Sequence, residues 1–162
     1  MGAVTCLIAT ARLAAPDEAA LQPTTTVPKV RALWCDSPFA DASRVVADFM
    51  AHAGISPRLA PAVRFWLNRV TGRDLRLSSP IRHAQRIGCP VFIVHSEDDR
   101  LVGIHHFEEL ASLDWKVPPE LWRLARHAHN RLWKEPDYHQ RQIDFVKRHL
   151  SDSSRWVVAT ER

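Results

Sequence analysis

The chain has 162 residues, 46% of them hydrophobic and 25% charged, a composition ordinary for one globular domain. Five glycines and eleven prolines exclude a fibrous or wholly disordered chain. Lys and Arg number 22 against 18 Asp and Glu, a net charge of +4 that reads as dispersed among acids. Without a basic arm, a nucleic-acid partner is not expected. Cys6, Cys35 and Cys89 are odd in number and lie in apolar surroundings, so they read as small reduced core residues. No apolar run is long enough to cross a bilayer. The opening residues lack the basic flank of a secretory leader, which makes a cytoplasmic chain the expectation.

Residues 2–15 are Ala-rich with Leu7, Ile8 and Leu13, and read as a buried helix ended by Pro16 and Asp17. Residues 21–28 read as a loop. Residues 30–35 are a short apolar strand stopped by Asp36-Ser37-Pro38. The spacing of Val45, Val46, Phe49 and Met50 predicts a helix over 42–53, closed by Gly54. Residues 55–77, rich in Arg and aromatics, read either as a cap or insert over a pocket or as a plain packing helix. Arg64, Arg69, Arg73 and Arg76 fit a solvated face, and Trp66, Trp115, Trp122 and Trp133 fit packing roles. Residues 90–95 are continuously apolar and β-branched, as a parallel strand covered on both faces should be. A helix over 105–113, a strand over 120–125 and a helix over 138–150 follow. In the last helix Ile143, Phe145, Val146 and Leu150 are expected inside. Residues 151–162 form a tail without assignment. Strands alternating with helices predict an α/β fold of about three parallel strands with flanking helices.

In such sheets functional residues gather at the carboxyl ends of strands. Three polar clusters meet that condition: Asp36-Ser37, Asp98-Asp99 and residues 127–130, which read His-Ala-His-Asn. A carboxylate on one loop and a histidine on a later one form the orienting half of a hydrolytic triad. Spacing goes no further, since many α/β domains carry Asp and His near strand ends. The run 87–102 adds more: a Pro-initiated apolar strand, an acidic turn ending at Asp99, then Leu101-Val102. It resembles the acid-bearing strand and turn of the α/β-hydrolase superfamily, with Ser96 where a glycine is usual. Residues 34–41 resemble the preceding strand end in esterase- and peptidase-like members. Residues 127–130 resemble the turn carrying the catalytic histidine, here without its glycine.

The resemblance covers residues 1–150 and implies the carboxyl-terminal part of an α/β-hydrolase fold. It implies Asp99 as the acid, with Asp98 or Asp36 as substitutes, and His129 as the base, with His127 as its substitute. No G-x-S-x-G nucleophile elbow occurs in the chain. The opening Met1-Gly2-Ala3 resembles the residues that follow the serine, so the resemblance implies a nucleophile before Met1 and an oxyanion-hole amide on Met1. The implied substrate is a small-molecule ester, thioester or peptide, with no cofactor. The other reading is a truncated, non-catalytic hydrolase-like protein or interaction module. A strand over 30–35 left at the sheet edge would invite self-association. Adjacent His105 and His106 on a helix should point in different directions, and no H-E-x-x-H spacing is present, so no metal is expected. Cys35 beside Asp36 lacks the local elbow of a nucleophile.

Overall fold

The computed structural model describes residues 2–14, 29–72 and 74–150; Met1, the loop at 21–28 and the tail at 151–162 lie outside them. In chain order the elements are α1 (Gly2–Ala14), β1 (Leu33–Asp36), α2 (Ala42–His52), α3 (Ala60–Thr71), β2 (Val91–Ser96), α4 (Ile104–Ala111), β3 (Glu120–Leu124) and α5 (Tyr138–Leu150). Short 3-10 turns join α3 to β2.

Every residue of β2 is buried, as its unbroken apolar run requires. It is the middle strand of a parallel sheet ordered β1-β2-β3, with Leu33 opposite Val91 and Phe92 opposite Glu120. Strand side chains alternate between faces, and the core divides accordingly. Val91 and Ile93 pack with Leu33 and Cys35 against Leu7 and Ala11 of α1 and Phe107 and Leu110 of α4. Phe92 and Val94 pack on the opposite face with Leu124, Leu132, Tyr138 and Phe145. The result is an α/β/α sandwich whose middle layer is fixed by β2.

Helix ends follow from local chemistry. Asp41 caps α2, its Oδ1 accepting from the Ser43 N–H at 2.6 Å, and Ser79 Oγ donates to the same oxygen at 3.3 Å. Gly72 ends α3 at φ 65°, a left-handed position that suits glycine. A third apolar cluster of Val4, Phe39, Ala42, Val45 and Val102 joins α1, α2 and the loop after β2.

Several expectations need correction. Cys6 is exposed, while Cys35 and Cys89 are buried; all three are free thiols. Trp115 is buried, but Trp66 and Trp133 are more than half exposed. No residue of α3 is fully buried, although Ala60, Val63 and Asn68 are half-buried. In α5 only Tyr138 and Phe145 are buried, and these two stand seven residues apart, two turns along one line of the helix. Ile143 and Val146 flank that line and remain exposed.

Phe145 is fully buried, with ring centroids 5.4 Å from Phe92 and 6.0 Å from Trp34. Phe145→Ala should therefore destabilise the fold by roughly 3–5 kcal/mol. Ile143→Ala, two residues away and 46% exposed, should cost under about 1 kcal/mol. Urea unfolding midpoints of the two variants measure the contrast.

Candidate active site

The turn after β2 follows from its hydrogen bonds. The Glu97 N–H donates to the Leu124 carbonyl at 2.8 Å, tying the turn to β3. The Asp98 N–H donates to Ser96 Oγ at 3.2 Å, and the Asp99 N–H to the Ser96 carbonyl at 3.2 Å. Ser96 is not among the residues with positive φ, so a side chain sits there without strain and its hydroxyl braces the turn. Asp99 is then buried, its Oδ1 accepting from the Leu101 N–H at 3.0 Å and the Val102 N–H at 2.9 Å. Two backbone donors on one oxygen lock the carboxylate and leave Oδ2 for another partner.

That partner is His129, whose Nδ1–H donates to Asp99 Oδ2 at 2.6 Å. The bond fixes the tautomer, so neutral His129 keeps its lone pair on Nε2. Nε2 has no hydrogen-bond partner among the described residues, and the side chain retains 17% exposure. The loop from β3 reaches this position through two residues with positive φ, His127 at 99° and Asn130 at 60°. Asn tolerates the left-handed region; His127 occupies the strained position that a glycine would take at ease. Its Nε2 pairs with Glu135 Oε2 at 2.9 Å, which holds it away from Asp99.

The substitutes for these residues have other partners. Asp36 accepts from Trp34 Nε1–H at 2.8 Å and from the Tyr138 hydroxyl at 2.6 Å, a cross-link between β1 and α5. Burial and the Asp36 carboxylate push the Tyr138 phenol well above its ordinary range, so it remains a donor. The ion pairs of His127 and His129 go to Glu135 and Asp99, not to Asp98. Met1 lies outside the described residues. Burial pushes the Cys35 thiol far up, followed by Cys6 and Asp36, which leaves it protonated and unsuited to attack.

Beneath the pair lies His95, fully buried at the end of β2, a residue the sequence did not single out. Its Nε2–H donates to the Val102 carbonyl at 2.8 Å, while Nε2 stands 3.8 Å from Asp99 Oδ2. Burial is the main cause that lowers its pKa, so His95 stays neutral and does not neutralise Asp99. The acid's charge is thereby kept for His129.

A second cluster joins α2 to α4. His105 and His106 both converge on Asp48 Oδ2, at 3.2 and 3.0 Å, with ring centroids 4.3 Å apart. Adjacent helix residues thus share one partner, contrary to the expectation that they diverge. Three ligand-type atoms lie within 4.8 Å of one another. The donor set nevertheless does not fit a metal. His106 Nδ1 accepts from the Ala40 N–H at 3.2 Å, so the neutral ring carries its proton on Nε2, facing Asp48. A ligating nitrogen needs its lone pair there. Neither Asp48 nor the convergence of the two rings was readable from the sequence, because 58 residues separate His106 from Asp48.

No protein-family model matches the sequence, and no curated protein matches it. Solved structures do match by shape. An esterase of Pyrococcus furiosus is 20% identical with a TM-score of 0.55, over 88% of this chain and 50% of its own. An acetyl ester-xyloside bifunctional hydrolase of Caldicellulosiruptor lactoaceticus is 16% identical with a TM-score of 0.56, over 93% and 53%. An acylaminoacyl peptidase of Pyrococcus horikoshii is 13% identical with a TM-score of 0.54, over 78% and 21%. These structures have the α/β-hydrolase fold, and the chain adopts the carboxyl-terminal portion of that fold. It spans about half the length of the two esterase-type structures. No helix among the described residues is long and apolar enough to cross a membrane.

Burial, then the neighbouring His105, lowers the His106 pKa from 6.5 to about 4. Between those values the unfolded chain binds a proton on this ring and the folded chain does not, so stability rises with pH across that window. The contribution is complete above pH 6.5 and lost as pH falls toward 4. It is on the order of 3 kcal/mol. His95, also lowered, acts in the same direction. Thermal midpoints should fall across this window, and His106→Gln should flatten the fall.

Proposed function

We infer that this chain carries the acid and base of a Ser-Asp-His hydrolase acting on an ester, thioester or peptide bond. Asp99 is the acid and His129 the base. The observation that carries this reading is the 2.6 Å bond between them, made by a buried carboxylate and an imidazole with an unpaired Nε2. In the reaction Nε2 takes the proton of an attacking hydroxyl, and Asp99 stabilises the imidazolium that results. The same proton then passes to the departing alkoxide, thiolate or amine. The shape likeness to esterases and a peptidase supports the bond class. No cofactor has a role in this scheme.

The nucleophile is a serine outside these 162 residues. Supporting this, the chain holds no G-x-S-x-G, and none of the described serines bonds to His129. Ser37 sits at a strained φ of 41° just after β1, but its Oγ is buried and without a partner. The Met1 amide would line the oxyanion hole beside that serine. β1 is the edge of the described sheet, the position at which a further parallel strand or a second copy of the chain would pair. The free thiols fit a cytoplasmic setting.

A fluorophosphonate probe reports a nucleophilic serine and should not label the 162-residue chain. Nucleotide sequence ahead of the Met1 codon should encode Gly-x-Ser in frame, and the extended chain should label. Asp99→Asn in that extended chain should lower kcat on the order of 10³- to 10⁴-fold, and His129→Ala should abolish labelling. Unrelated sequence or a stop codon upstream would leave the non-catalytic module as the correct account. Labelling of the 162-residue chain itself would overturn the placement of the nucleophile.

A further inference from the structure

We propose that α3 and the turn before it form a docking face for an anionic lipid–water interface. Leu59, Ala62, Val63, Trp66, Leu67 and Val70 recur at helical spacing and make one apolar stripe. Such a stripe ordinarily faces a core. Here it lines an open groove of about 400 Å³, with Trp66 64% and Val70 78% exposed. Ile55, Phe65 and Leu77 extend the apolar surface at either side. Nothing among the described residues covers it.

Charge points to what does. Residues 55–77 hold five arginines and one acid, a net +4 equal to that of the whole chain. The other 139 residues carry 17 basic and 17 acidic groups and are neutral. The charge that reads as dispersed is therefore concentrated on the segment with the bare stripe. The guanidinium groups of Arg58, Arg64 and Arg69 form no ion pair or hydrogen bond among the described residues. Within the segment, Arg76 pairs with its one acid, Asp74, at 3.3 Å.

A short helix that is apolar on one side, arginine-bearing at its flanks and edged by Trp and Phe is suited to lie in a headgroup layer. Its 12 residues are too few to span a bilayer. A second copy of the chain is disfavoured, since it would bring two 55–77 segments of +4 each together. Single-stranded nucleic acid is disfavoured because bases stack on aromatic faces, and this stripe is mainly aliphatic.

The test is co-sedimentation of the 162-residue chain with vesicles of phosphatidylcholine alone or mixed with phosphatidylglycerol. Binding should appear on the phosphatidylglycerol vesicles and decline as salt rises. The R58Q/R69Q double variant should bind about thirtyfold more weakly. The W66S/V70S double variant should lose about tenfold or more, with an unchanged thermal midpoint because both side chains are exposed. Absence of vesicle binding, equal binding to pure phosphatidylcholine, or full binding by W66S/V70S would each overturn the proposal. A dimer dissolved by W66S/V70S, without vesicle binding, would assign the face to a second copy and also overturn it.

Discussion

The buried carboxylate of Asp99 is the point on which the loops of β2 and β3 converge. A charge taken out of water is tolerable only where its oxygens are satisfied. Here the Leu101 and Val102 amides hold one oxygen and His129 the other. The Glu97 amide ties the β2 turn to the Leu124 carbonyl at the end of β3, so the two loops are joined before their side chains meet. The middle position of β2, buried on both faces, gives this arrangement a rigid base.

Three histidines near the carboxyl ends of the strands are held in different states by different surroundings. His95 is buried and neutral, and donates to the Val102 carbonyl beside the acid. His127 is drawn outward by Glu135. His129 alone combines a bond to Asp99 with an unpaired nitrogen and partial exposure. The separation rests on burial and pairing, since one imidazole is much like another until its surroundings differ.

Residues that act through local pattern were readable in the sequence, and those that act through distant pairing were not. The apolar run of β2 and the acidic turn after it declare the strand, its burial and the position of Asp99. The order of acid and histidine, with the resemblance around each, pairs Asp99 with His129. By contrast, Asp36 reads as a second acid, and only the fold shows Trp34 and Tyr138 occupying both of its oxygens. Periodicity found the stripe on α3 but not the direction it faces, because spacing defines a face and tertiary packing decides what meets it. In α5 the same rule overcounted: the narrow line of Tyr138 and Phe145 is what reaches the core, with Phe145 edge-on to Phe92 of β2.

Among the described residues, the non-glycine positions with positive φ are Ser37, His127 and Asn130, and each lies in the segment that follows β1 or β3. Strain of this kind costs on the order of 1–3 kcal/mol per residue and persists only where surrounding contacts hold it. The holding contacts are visible: the Ser37 amide donates to the Val94 carbonyl at 2.9 Å, and His127 is paired with Glu135. At the β2 turn, where a serine replaces the expected glycine, the backbone is relaxed and the hydroxyl adds a bond. At the β3 turn, where a histidine replaces one, the backbone is strained. Loss of a glycine is therefore harmless or costly according to φ, not according to the motif it interrupts. Two of these positions, His127 and Asn130, flank His129 in the loop that brings its Nδ1 to Asp99.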